Sequence, residues 1–212
     1  MAMQAGGEGD VLLVVDVQRD FCAGGALAVP DGDAVVAPIN QLMKHFRHVV
    51  VTQDWHPADH SSFAVQHPGR QALEVVEMPY GKQQLWPVHC VQGTPGAEFH
   101  PDLHWDRAEL IVRKGFRREI DSYSAFLEND RTTPTGLAGY LRERGLVRIF
   151  LAGLALDYCV GFSALDARAL GLEAWVIADA TRAVGVGESQ AAMLLRLAAL
   201  QVGTVTTGEF TR

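Results

Sequence analysis

The stretch Val11-Leu12-Leu13-Val14-Val15-Asp16 runs apolar for five residues and then stops on a carboxylate. A strand with water on one side alternates apolar and polar side chains. This one has no polar face, so both faces belong inside, as in a parallel sheet covered by helices. The pattern recurs along the chain. Val49-Val50-Val51 continues through Thr52 and Gln53 to Asp54, and Leu110-Ile111-Val112 through Arg113 to Lys114. Ile149 to Ala152 ends at Gly153, Ala174 to Ala178 ends at Asp179, and Val202 to Thr206 is a weaker sixth run.

Helical spacing fills the intervals. Within Asp33 to Phe46, the residues Val36, Ile39, Met43 and Phe46 share one face. Gly136 to Arg144 is a shorter helix, and Asp157 to Leu170 carries few charges and belongs in the interior. Gly187 to Gln201 places Ala191, Leu194, Leu195 and Ala198 on one stripe. Strand and helix in alternation predict an α/β domain, doubly wound, with a mostly parallel six-stranded sheet and helices on both faces. Residues 10–212 form one such domain, and residues 1–9 a flexible N-terminal segment.

The balance of charge narrows the partners. A net charge of −7 with no Lys/Arg cluster argues against nucleic acid and against an anionic membrane surface. No run approaches the roughly 20 apolar residues of a spanning helix. Three cysteines, Cys22, Cys90 and Cys159, cannot all pair within one chain, which points to a reducing, cytoplasmic setting.

Residues 55–109 break the rhythm. They hold six of the nine prolines, six of the eight histidines and three of the four tryptophans. A loop that long in a compact domain is a functional one, and its His and Trp content suits the wall of a site.

In open parallel sheets, ligands bind beyond the carboxyl ends of the strands. Asp16, Asp54, Lys114 and the Gly153 to Cys159 turn all lie there. A lone Asp or Lys closing a strand is ordinarily a solvated end or a cap; four converging strand ends are a different matter. Cys159 opens an apolar helix, where unpaired N–H groups favour the thiolate and could bind an oxyanion; the plainer alternative is a small buried hydrophobe. Asp54 and His56 are two apart and point the same way in extended chain, and His89 could add a third ligand from the loop. A carboxylate with two imidazoles suits one divalent ion, Zn, Fe or Mn. His60 is a possible fourth ligand.

Five motifs in order, Asp16-Val17-Gln18-Arg19-Asp20-Phe21, Thr52-Gln53-Asp54-Trp55-His56, Trp86-Pro87-Val88-His89-Cys90-Val91, Lys114-Gly115 and Gly153-Leu154-Ala155-Leu156-Asp157-Tyr158-Cys159-Val160, resemble the nicotinamidase/pyrazinamidase branch of the isochorismatase-like cysteine hydrolases. The resemblance runs from about residue 11 to 207. It implies a Rossmann-like three-layer sandwich and a catalytic triad of Asp16, Lys114 and Cys159. It further implies metal ligands Asp54, His56 and His89, and an oxyanion hole from the N–H groups of Ala155 and Cys159, with a cis peptide before Ala155. Phe21, Trp86 and Tyr123 would contact the substrate ring. The implied activity is hydrolysis of nicotinamide to nicotinate and ammonia through a Cys thioester in NAD salvage, with pyrazinamide as a further substrate, by a protein that could form homo-oligomers. Three other readings remain open at this point. They are a metal-free relative acting on another small amide, a hydrolase in which a metal-bound hydroxide attacks, and a non-catalytic flavodoxin-like binding module.

Overall fold

The structure, a computed structural model, describes residues 6–210. In chain order the elements are β1 (Asp10–Val15), α1 (Val36–Leu42), β2 (His48–Asp54), β3 (Val75–Met78), β4 (Gly81–Gln84), β5 (Leu110–Lys114), α2 (Leu137–Glu143), β6 (Arg148–Leu154), α3 (Gly161–Ala169), β7 (Glu173–Arg182), α4 (Ser189–Ala199) and β8 (Gly203–Val205). All six expected strands are present. They form one sheet in the order β5-β2-β1-β6-β7-β8, and every pairing in it is parallel. All six residues of β1 are buried, as its unbroken apolar run requires.

Side chains leave the sheet alternately, and so divide the core. Leu12 and Val14 join Val36, Ile39, Met43 and Phe46 under α1 on one face. Val11, Leu13 and Val15 join Leu137, Leu141, Ala164, Leu165, Met193 and Leu197 under α2, α3 and α4 on the other. The outcome is a three-layer α/β fold.

Two expectations need correcting. The stripe chosen for α4 is not its buried face: Met193 and Leu197 are inside, whereas Leu194 and Leu195 are 48% and 74% exposed. That helix has two apolar stripes, and spacing alone cannot say which one docks. Residues 55–109 are also not wholly irregular, since β3 and β4 pair as an antiparallel hairpin. Their short strands have too few turns of alternation to register as a period. Of the segment expected to be flexible at residues 1–9, residues 1–5 lie outside the described residues. Gly6 and Gly7 each donate an N–H to Asp10 Oδ2 at 3.0 Å.

The chain runs outward from β1 to β2 and β5, then returns to lay β6 against the other side of β1. Beyond the carboxyl ends of β1 and β6 the connections diverge and leave a crevice. Asp16 follows β1, Asp54 ends β2, Lys114 ends β5, and Ala155 to Cys159 follow β6.

Candidate active site

Asp16 adopts φ +47°, in the left-handed region that is uncommon for residues other than glycine. This turns its carboxylate back under the sheet edge, where it is fully buried. Thr52 supports it twice: the hydroxyl donates to Asp16 Oδ1 at 2.5 Å and accepts the Asp16 N–H at 3.1 Å. Asp54 is fixed through its backbone by Gln18. That side chain accepts the Asp54 N–H at 2.8 Å and donates to the Asp54 carbonyl at 2.9 Å.

Lys114 is buried at the centre. Its Nζ lies 2.8 Å from Asp16 Oδ2 and 2.6 Å from Asp54 Oδ1, and it donates to the Ser122 carbonyl at 3.0 Å and to Cys159 Sγ at 3.3 Å. Burial alone would push its ammonium towards neutrality, but Asp16 and Asp54 outweigh that and hold its pKa well above the ordinary value. Burial also pushes the Asp54 carboxyl up, and there Lys114 and His56 win and keep it well below the usual range. At Asp16 burial prevails over Lys114, and the pKa is raised.

Cys159 sits in a single wide turn of π-helix, Leu156–Val160, that leads directly into α3. Such turns are rare and concentrate at functional sites. Burial pushes the thiol well above its ordinary value, opposed by Lys114 and reinforced by the carboxylates of Asp16 and Asp54. A cis peptide does join Leu154 to Ala155.

Asp54, His56 and His89 present ligand atoms within 4.8 Å of one another, and all three are buried. His56 Nε2 lies 3.2 Å and His89 Nε2 3.6 Å from Asp54 Oδ2. The opposite nitrogens settle the tautomers. His56 Nδ1 donates to the Gly115 carbonyl and His89 Nδ1 to the Pro87 carbonyl, both at 2.8 Å. A carbonyl can only accept, so each Nδ1 carries a proton, and a neutral ring then turns the Nε2 lone pair inward. Two lone pairs and a carboxylate oxygen converging without a donor between them suit a cation. The same field raises the pKa of His56, where Asp54 overcomes the burial penalty. The donor set therefore fits a divalent metal ion.

The group of Asp54, His56 and His89 is not separate from Asp16 and Cys159, since Lys114 contacts Asp16, Asp54 and Cys159. His60 is also buried but turns Nδ1 to the Ser62 hydroxyl at 2.7 Å; with His56 and Asp121 it makes a second candidate group. A third group, Cys22, Asp33 and His100, fits a metal less well. His100 Nδ1 accepts the Asp102 N–H at 3.2 Å, so in the neutral ring the proton sits on Nε2, 3.2 Å from Asp33. Cys90 is wholly buried, and among the described residues all three cysteines are free.

The expected ring contacts Phe21, Trp86 and Tyr123 do line one pocket with Asp54, His56, His89, Ala155 and Cys159. Trp86 Nε1 donates to the Tyr123 hydroxyl at 3.1 Å, which sets the angle between two of the walls. Sequence reasoning missed Leu27, Asp121, Tyr158 and Val184, which line the same pocket. Tyr158 was within reach, being an aromatic next to the candidate nucleophile; its ring packs edge-on to Trp86 at 4.8 Å. It also missed Thr52, Gln18 and Phe63. The Phe63 ring lies 5.5 Å from both His56 and His89 and supports them from behind.

The profile of the Isochorismatase domain matches residues 10–210. The chain belongs to the isochorismatase family. Within that family it is 53% identical over 178 residues to a nicotinamidase of Acinetobacter baylyi, covering 84% of this chain and 83% of that protein. Its fold superposes with a TM-score of 0.95 on an Acinetobacter baumanii nicotinamidase/pyrazinamidase, at 48% identity, covering 96% and 99% of the two chains. A protein from L. infantum in complex with nicotinate matches at 0.86 and 38% identity over 99% and 98%. A pyrazinamidase of Pyrococcus horikoshii in complex with zinc matches at 0.76 and 35% identity over 93% and 99%. Among the described residues of this isochorismatase-family chain, no helix is long and apolar enough to cross a membrane.

Proposed function

We propose that this protein is an amidohydrolase that converts nicotinamide to nicotinate and ammonia, and pyrazinamide to pyrazinoate. The observation that carries the reading is the meeting of Asp16 and Cys159 on the Lys114 ammonium, with Cys159 itself lining an aromatic-walled pocket. The names and bound ligands of the relatives support the substrate class.

Asp54, His56 and His89 would hold a divalent ion, zinc by analogy with the Pyrococcus structure, and it would supply a Lewis acid to the ring nitrogen of the substrate. Phe21, Trp86 and Tyr123 enclose the ring and exclude water. Cys159 Sγ attacks the carboxamide carbon as its proton passes to Asp16, whose raised pKa suits it to hold a proton. The N–H groups of Ala155 and Cys159 receive the developing oxyanion. Asp16 returns the proton to the departing ammonia, which leaves a thioester on Cys159. Asp16 then takes a proton from water as that water attacks the thioester, and the thiol is regained with release of nicotinate. Lys114 keeps two carboxylates and a sulfur within contact of one positive charge throughout.

Ammonia release from a panel of amides tests this. Nicotinamide and pyrazinamide should be hydrolysed by the zinc-loaded protein. Benzamide, which lacks the ring nitrogen, should be slower by roughly a hundredfold or more. Cys159→Ala should remove turnover by several orders of magnitude. Turnover that survives this substitution would assign the attack to water and sink the thioester route.

A further inference from the structure

Asp157 stands between the two residues offered as the oxyanion hole, yet its side chain takes part in none of these steps. It is 3% exposed. A buried carboxylate needs donors, and here they come from the segment before α4 and from Ser189, the first residue of that helix. Oδ1 accepts the Val184 N–H at 2.9 Å; Oδ2 accepts the Gly185 N–H at 2.9 Å and the Ser189 hydroxyl at 2.5 Å. That segment links β7 to α4 without regular structure, and Gly185 and Gly187 adopt φ +74° and +55°. Its own backbone thus does little to fix its path. Two successive N–H groups held by the two oxygens of one carboxylate fix the peptide between them, and with it the direction of the Val184 side chain. Val184 lines the same pocket as Cys159.

We propose that Asp157 is a positioning residue that holds Val184 in place as one wall of the pocket, and that this wall limits which ring-substituted carboxamides reach Cys159. The proposal rests on the amidohydrolase reading for its substrate, though not for the wall itself. The bonds tie the turn that carries Cys159 to the segment that carries Val184, so one carboxylate holds two parts of the pocket lining. Loosening the tie should widen the pocket without touching the triad.

The test compares the zinc-loaded wild type with Asp157→Asn, Val184→Ala and the double variant. Asn keeps the shape, but its Nδ2 cannot accept a hydrogen bond from N–H, so at least one bond is lost. Two quantities are read. One is the rate at which iodoacetamide alkylates Cys159, followed by peptide mass spectrometry. The other is kcat/KM for 5-methylnicotinamide divided by that for nicotinamide. Both single variants should speed alkylation several-fold and raise the ratio on the order of tenfold, with KM for nicotinamide rising more than kcat falls. The double variant should resemble the singles, because both act on one wall. If Asp157→Asn moves neither quantity, or if the two substitutions multiply, Asp157 is only an anchor of the turn and the proposal fails. A wild type that releases no ammonia from nicotinamide would defeat the substrate reading alone, since alkylation still reports on the wall. Should Asp157→Asn fail to fold, Ser189→Ala removes one of the three bonds and is judged by the same two readouts, with smaller shifts.

Discussion

At the scale of single residues, Lys114 joins the two parts of the site. Its buried ammonium lies between Asp16 and Asp54, which would otherwise face each other as carboxylates with no water to screen them. Removing one partner of a buried ionic group leaves uncompensated charge and costs about 3–5 kcal/mol. Lys114→Met should therefore lower the melting temperature markedly and also abolish ammonia release. Calorimetry and the amide assay on the same preparation check both, and a variant as stable as the wild type would deny the bridging role. Spacing exposed Lys114 as a strand end, and the family resemblance added a place beside Asp16 and Cys159 but none beside Asp54. That it serves both groups was not legible, because spacing along a chain says which edge a side chain reaches, not which neighbours it shares. Thr52, Gln18 and Phe63 were hidden for the same reason. Each acts by contact with a functional residue and carries no chemistry of its own that a motif would advertise.

At the scale of elements, legibility followed burial. β1, β2 and β6 are covered on both faces and their unbroken apolar runs gave them away. α1 showed its inward face because it has one apolar stripe; α4 has two and misled. The π turn at Cys159 has no periodic signature at all, being a single turn. The loop of 55–109 declared itself through its histidines, while its hairpin did not. Between β5 and the loop that follows it, Gly115 performs a task that only glycine can. Its φ is +65°, and a Cβ there would lie 2.4 Å from Cε1 and 2.7 Å from Nδ1 of His56. Its carbonyl is also what fixes the tautomer of that ring. Gly115→Ala should tilt or displace His56 and weaken zinc affinity by about 10–100-fold, the range seen when groups behind a metal ligand are altered. Zinc titration against a competing chelator measures it. Unchanged affinity would mean that the ring yields freely and that the carbonyl is dispensable.

At the scale of the molecule, Asp54 and His56 come from β2 and the start of the loop that follows it, His89 from further along that loop, and Cys159 from the turn after β6. An ion bound there ties the long loop to the sheet. Whatever binds only the folded chain stabilises it, by about 2.7 kcal/mol at a hundred times the dissociation constant. For a domain of this size that corresponds to roughly 5–10 °C in melting temperature. Zinc should raise the transition by that order, EDTA should reverse it, and His89→Ala should respond to neither. A melting temperature indifferent to zinc in the wild type would count against an ion at Asp54, His56 and His89.

The all-parallel sheet has a consequence for how the chain comes together. Parallel neighbours cannot be joined by a tight turn, so each pairing waits on a crossover, and contacts of long sequence separation form slowly. Asp16, Asp54, Lys114 and Cys159 sit on four different strand ends, with β1 paired to β2 on one side and to β6, far along the chain, on the other. Local helices and the β3–β4 hairpin can form early, before those four residues meet. A nascent or refolding chain thus becomes catalytic only when its most distant pairings close, and activity reports the completion of folding rather than its onset.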